Sequence, residues 1–301
     1  MENPKIKINQ NAALGIAALG VFLFATKAIL VKLAYKEHIN AQTMLLLRMS
    51  FSVPVYLCIL LLPQNFSKIK SLSIKEHLMI ISLGIVGYFL SSLFDFVGLQ
   101  YITANLERLI LFAYPTMVVL ISSFILKKKI TKAQWYAIVI TYIGIFITLF
   151  EKIQFQNSSL ELYGILLIFA SALTYALYLI GSGELLTKIG TVPFTAYAMV
   201  ISSVFVIIYA QFTSTTPLQL IPQNVYFIGI IMAIFATIIP SFLISYAIKN
   251  ANASSVSIIG SIGPVFTILL SYFILNESMS IFQIIGGIII LLGVYWVSLK
   301  K

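Results

Sequence analysis

The chain has little of what soluble chemistry is built from. Its 301 residues include one cysteine, two histidines and only 9% charged side chains. A lone Cys58 excludes an intrachain disulfide and a cysteine metal cluster, and with them the usual homes of redox chemistry. His38 and His77 fall in or beside expected loops, so there is no paired-histidine zinc helix and no histidine-based triad within an apolar segment. Gly181-Ser182-Gly183-Glu184 is glycine-rich, but no strand precedes it and no Gly-Lys-Ser/Thr follows, which leaves nucleotide binding unsupported. A soluble fold of this size covers itself with far more charge. No catalytic residue, metal or cofactor is assigned from the sequence.

What the chain does have is apolar length. Hydrophobic residues make up 60% of it and the mean hydropathy is +1.03. The formal charge of +10 would suit nucleic acid, yet Lys68, Lys70, Lys127, Lys128, Lys129 and Lys132 sit in short gaps between apolar runs, where basic residues fix membrane orientation. The expected partner is the lipid bilayer, with no nucleic acid.

A hydrocarbon core about 30 Å thick needs roughly 20 residues at 1.5 Å rise. Ten runs approach that length: Ala12–Tyr35, Ala41–Leu62, His77–Leu99, Thr103–Leu126, Ala133–Phe150, Leu162–Gly181, Thr195–Phe212, Val225–Ala247, Ala253–Leu275 and Ile281–Leu299. They are too long, and too apolar on every face, for barrel strands. The first carries Lys27 and Lys32 and lacks a small-residue cleavage site, so it is expected to stay as a span. The expected fold class is an all-α integral membrane protein with ten transmembrane helices. Placing the amino end inside puts thirteen lysines on the cytoplasmic side against Lys36 and Lys152 outside. That predicts a multi-pass protein of the cell (inner) membrane with both termini cytoplasmic.

The sequence also repeats at a constant separation of 149 residues, which sets Gly15 on Gly164, Ala104 on Ala253, Pro115 on Pro264, Gln134 on Gln283 and Gly144 on Gly293. Residues 1–152 and 153–301 thus form two repeats of five helices each. An odd number inverts the second repeat in the membrane, as in many secondary transporters. The loop charges agree: Lys127-Lys128-Lys129-Ile130-Thr131-Lys132 aligns with Asn276-Glu277-Ser278-Met279-Ser280-Ile281. Equivalent loops of opposite sign belong on opposite sides. Pro115 and Pro264 lie inside spans at repeat-equivalent positions and are hinge candidates, with a static kink as the alternative.

Gly-Leu-Gln-Tyr-Ile-Thr-Ala-Asn at 98–105, Tyr-Ala-Ile-Lys-Asn-Ala-Asn-Ala-Ser at 246–254, Gly-Pro-Val-Phe at 263–266 and Leu-Asn-Glu at 275–277 follow in an order that resembles the EamA type of the drug/metabolite transporter superfamily. The resemblance covers nearly the whole chain. It implies a basket of helices around a central cavity, with the fifth and tenth at the periphery, moving metabolites by alternating access. The first half departs from the pattern: Lys128 stands where the family often has an acid, and Glu107-Arg108 replaces small or apolar residues. The cargo is not fixed by such membership.

Six charged side chains, Lys27, Lys32, Arg48, Asp95, Glu107 and Arg108, fall within the expected spans. Each is costly in lipid unless paired, solvated or near an end. Depth arithmetic gathers all six in the outer half, and Lys32 can snorkel. Substrate-binding or coupling candidates are Lys27, Arg48, Asp95, Glu107, Arg108, Tyr114, Tyr246 and Ser257. One reading is a polar vestibule in which Asp95 with Arg108, or Glu107 with Arg48, binds a zwitterion or changes protonation. The other is a set of static interhelical ion pairs. Without a nucleotide site, uphill transport must draw on a gradient, for which a coupling proton on Asp95 or Glu107 is the candidate. The function expected is a secondary transporter of small polar organic metabolites, amino acids or related compounds, and not an enzyme. A membrane-embedded enzyme acting on lipid, or a channel, is the alternative. Direction of transport and oligomeric state cannot be read from the sequence.

Overall fold

The computed structural model describes residues 10–127, 129–155, 159–213, 216–251, 256, 259–260 and 262–299. Among the described residues there is helix and turn and no strand. Eight helices are long and apolar enough to cross a membrane: α1 (Ala12–Lys36), α2 (Ala41–Leu61), α3 (Ile74–Leu99), α4 (Ala104–Ile125), α5 (Lys132–Phe150), α6 (Ser159–Gly183), α7 (Thr191–Phe212) and α8 (Gln223–Ala247). Two shorter apolar helices follow, α9 (Gly263–Leu275) and α10 (Ile281–Trp296). Each expected run thus finds a helix, although the first part of Ala253–Leu275 lies largely outside the described residues. One helical stretch runs well past expectation, from Ser159 to Ile189, and carries Lys188 into an ion pair with Glu76 at 2.6 Å.

The helices start where the sequence offers caps. Asn40 accepts from the Thr43 N–H at 2.9 Å and opens α2. Ser73 and Glu76 form a reciprocal capping box at the start of α3. Thr131 with Gln134 does the same for α5, and Ser280 with Gln283 for α10. The last two boxes are 149 residues apart.

Three further local features recur at that separation. The chain takes a left-handed turn at Lys127 and at Asn276, just after α4 and α9. A wide, π-type turn interrupts α3 at Ile85–Leu90 and α8 at Ile234–Ile238. Pro240 follows the second turn but Ser91 follows the first, so the missing proline N–H is not what they share. Finally, α4 breaks at Phe112–Ala113 before Tyr114-Pro115, and α9 begins at Gly263-Pro264 after Ile262. In both places proline sits in the first turn of a new helical segment, where an absent N–H costs no bond. The interior kink expected at each proline is instead a break just before it.

Packing has a matching pattern. Helix α1 lies on α8 and α9, while α6 lies on α3 and α4. Helices α2 and α7 face each other, and each also touches the wide-turn helix of the other half of the chain, α8 and α3 respectively. The most extensive contact joins α5 to α10, which otherwise touch mainly α4. That contact is close because small residues line it. A Cβ on Gly144 would stand 2.8 Å from the Gly286 carbonyl oxygen, and one on Gly293 would stand 3.0 Å from that of Ala137. The buried core therefore lies among α1, α2, α3, α7 and α8 on one side and among α4, α5, α6 and α10 on the other.

Candidate functional site

The short turn after Leu99 brings the last residues of α3 against the first turn of α4, so Asp95 and Glu107 arrive at the same place from two helices. Both are buried, at 2% and 0% exposure. Lys27 reaches them from α1: its Nζ stands 2.5 Å from Asp95 Oδ2 and 3.5 Å from Glu107 Oε1. The second oxygen of each acid, Asp95 Oδ1 and Glu107 Oε2, is buried without a hydrogen-bond partner. One ammonium is thus shared between two carboxylates, and two acceptor atoms are left unmet. A buried acceptor without a donor is expensive and calls for a proton, a ligand or a rearranged partner.

The arginines take no part in these pairs. Arg48, on α2, donates through Nε to Thr237 Oγ1 at 2.9 Å and through Nη1 to Ser92 Oγ at 3.3 Å, and its guanidinium carbon lies 5.5 Å from the centre of the Phe96 ring. Thr237 is presented by the wide turn of α8, and its own hydroxyl donates to the Met232 carbonyl at 3.1 Å. Arg108 donates to Thr267 Oγ1 at 2.9 Å and to the Phe24 carbonyl at 3.3 Å. Asp95 and Glu107 thus meet on Lys27, while Arg48 and Arg108, the cations named beside them as zwitterion-binding candidates, each lean on neutral groups of other helices. Adjacent residues point about 100° apart on a helix, and here Glu107 faces α3 and Lys27 of α1 while Arg108 faces α9 and Phe24 of α1.

Tyr114 stacks edge-on against Tyr175 with ring centres 5.3 Å apart, and Tyr175 continues to Tyr178 and then Tyr88, whose hydroxyl accepts from Tyr178 at 3.1 Å. Tyr246 is partly exposed on the last turn of α8. Ser257 lies outside the described residues. Pro115 and Pro264 flank the helix breaks. A shallow, open polar depression of about 310 Å³ is lined by Tyr35, His38, Ile39, Asn40 and Gln100. The Tyr35 hydroxyl donates to the Phe96 carbonyl at 2.6 Å, one residue from Asp95.

Several polar residues of this region were not singled out in the sequence. Ser92, Thr237 and Thr267 carry no charge and look like any hydroxyl in an apolar run. Asn105 accepts from Ser271 through Oδ1 and leaves its Nδ2 buried and unpartnered. Glu277, named in Leu-Asn-Glu and in the loop-charge comparison but not as a site residue, accepts from the backbone N–H groups of Ala104 at 3.0 Å and Asn105 at 3.3 Å. It caps the helix that carries Glu107 and Arg108 with negative charge at its positive end.

The model of the EamA-like transporter family matches the chain twice, over residues 11–150 and 162–299. The chain is 30% identical over 290 residues to Uncharacterized transporter YcbK of Bacillus subtilis, covering 93% of this chain and 91% of that protein. It is 31% identical over 254 residues to Uncharacterized transporter YyaM of the same organism, covering 83% and 82%. An uncharacterized transporter of Archaeoglobus fulgidus shares 24% over 290 residues, 95% of this chain and 97% of the relative. A solved crystal structure at 15% identity superposes with a TM-score of 0.66 over 97% of this chain and 98% of the other, a likeness of fold.

Proposed function

Since the chain belongs to the EamA-like transporter family, and so is a multi-pass membrane protein related to transporters rather than enzymes, we propose that it is a secondary transporter moving small polar organic metabolites, amino acids and related compounds among them, across the cell (inner) membrane by alternating access. In this reading α9 and α10 cross the membrane with the other eight helices, and residues 1–152 and 153–301 are inverted repeats with both termini in the cytoplasm. The paired capping boxes, wide turns, left-handed residues and helix breaks support it, as does the exchange of contacts between α1 on α8 and α9 and α6 on α3 and α4.

The observation that carries the mechanism is the sharing of Lys27 by Asp95 and Glu107, with one oxygen of each acid unmet. A lysine held by two acids from different helices satisfies both only while α1, α3 and α4 stay together. If α1 moves with α8 and α9 as the halves rock, the acid it leaves must take up a proton or remain an isolated buried charge. Asp95 and Glu107 are therefore the proposed coupling groups. A channel or a lipid-acting membrane enzyme is the competing reading.

The test uses proteoliposomes containing a pH-sensitive dye and the full-length protein, presented with amino acids, nucleobases and organic acids. At least one solute is expected to enter and to move protons with it. Glu107→Gln is expected to keep exchange of that solute against itself while losing the proton signal. Proton movement unchanged in both Asp95→Asn and Glu107→Gln sinks the coupling role, and a panel in which no solute crosses sinks the transport reading.

A further inference from the structure

We propose that Arg48 is the receptor for a carboxylate on the transported molecule, so that the cargo is a monocarboxylic acid or an amino acid rather than a neutral or cationic solute. This deepens the transport reading and rests on it. Arg48 is 6% exposed, yet both of its hydrogen bonds go to neutral hydroxyls, Thr237 and Ser92, and the Phe96 ring covers one side. Among the described residues its fork makes no third hydrogen bond. The carboxylates at this depth are engaged elsewhere: Asp95 and Glu107 are both in contact with Lys27, and Asp95 attracts Arg48 only from beyond contact distance. A guanidinium enclosed by protein without a counter-ion is unfavourable unless a partner arrives. The planar fork matches a carboxylate with two parallel bonds, the arrangement for which arginine is suited and lysine is not.

Its place in the fold suits a cargo site. Arg48 lies on α2, Thr237 in the wide turn of α8, and Ser92 one residue beyond the start of the α3 segment that follows the other wide turn. Both wide turns thus bring their helices to the same guanidinium, where the first and second halves of the chain meet. Further neutral groups stand beside it: the Tyr56 hydroxyl lies 3.0 Å from Ser241 Oγ and donates to the Thr237 carbonyl at 3.4 Å. One cation amid hydroxyls neutralises one negative charge, which fits a carboxylate and leaves a phosphate dianion half compensated. On α3, Asp95 follows Ser92 by three residues and so shares its face, where its unmet Oδ1 is an acceptor for the ammonium of an amino acid.

The test measures thermal shift and binding calorimetry on the full-length protein in detergent. Each of a set of L-amino acids and short monocarboxylic acids is compared with its own amide, and inorganic phosphate is included. The expected result is that at least one acid at millimolar concentration raises Tm and its amide does not. Arg48→Gln is expected to weaken Kd for that acid by ~10-fold or more, the scale of one charge-assisted hydrogen bond. Arg48→Lys is expected to recover part of the loss, since it keeps the charge without the fork. Should Arg48→Gln fail to fold, the lysine variant decides alone, and a Kd equal to that of the unaltered protein overturns the site. The site is also overturned if the amide binds as well as the acid, if phosphate binds in place of the acids, or if no acid shifts Tm. A solute without a carboxylate that crosses vesicle membranes overturns the Arg48 site and leaves the transport reading standing. An acid bound through Arg48 that never crosses does the reverse.

Discussion

Removing Lys27 is expected to harm the protein more than neutralising either acid it holds. With Lys27→Met two buried carboxylates face each other across α3 and α4, whereas Asp95→Asn or Glu107→Gln leaves one intact ion pair. Breaking a buried pair by taking one partner costs about 3–5 kcal/mol. The deficit of Lys27→Met is expected to narrow as pH falls from about 8 to about 5, because a proton on either acid removes one of the two uncompensated charges and with it their mutual repulsion. Arg108, next to Glu107 but turned to Thr267, is the nearby cation that could soften the effect. Thermal melting in detergent across that range checks it, and a deficit that widens toward acid refutes it. The charged residues of this cluster were legible in the sequence because each is anomalous in an apolar run. Their partners were not, since which way Glu107 and Arg108 point depends on how α4 is rotated against α1 and α9. Nor were Thr237 and Ser92 legible, because a hydroxyl stands out from an apolar run only once an arginine is found bonded to it.

At the scale of elements, the α5–α10 pair shows what sequence separation and small residues can establish. Gly144 and Gly293 are 149 residues apart, and both lie in that contact. A Cβ on Gly286 would stand 2.5 Å from the Gly144 carbonyl oxygen and 2.8 Å from the Thr148 backbone nitrogen, atoms that cannot step aside without moving α5. Gly286→Val is therefore expected to cost about 1–3 kcal/mol or more by overpacking, read as an earlier thermal transition. Gly183→Ala, where nothing lies within 4 Å of the new Cβ, is expected to be neutral or stabilising by up to about 1 kcal/mol. Equal melting of the two variants would mean the pair is not packed as described. Eight of the ten expected spans were legible as helices long and apolar enough to cross a membrane, because hydrocarbon thickness sets a length that few soluble helices mimic. The wide turns in α3 and α8 were not, since a change in backbone hydrogen-bond register leaves no fixed residue signature: one is followed by proline and the other by serine. The proline positions were legible, while the placing of the break before Pro115 followed from where the next helical segment could begin without losing a bond.

For the whole molecule, two independent kinds of regularity bear on inversion. One is charge: the loop holding Lys127, Lys129 and Lys132 is basic, whereas its equivalent holds Glu277 and no lysine. The other is geometry: Lys127 and Asn276 share a left-handed backbone, and Thr131 with Gln134 caps α5 as Ser280 with Gln283 caps α10. Two loops built alike but charged oppositely are what results when one local structure is placed on both faces of a membrane, because only the cytoplasmic copy is selected for lysine. A parallel duplication would leave both loops on one face with no reason to differ. Lys129 and Ser278 are exposed positions 149 residues apart in these loops. In a Cys58→Ser background, which removes the one native thiol, a membrane-impermeant maleimide applied to intact cells is expected to label Ser278→Cys and to spare Lys129→Cys until the membrane is opened. Labelling of both from outside, or of neither, would contradict five crossings between them and with it the inverted arrangement. Labelling of Lys129→Cys alone would keep the inversion and reverse the orientation, placing both termini outside.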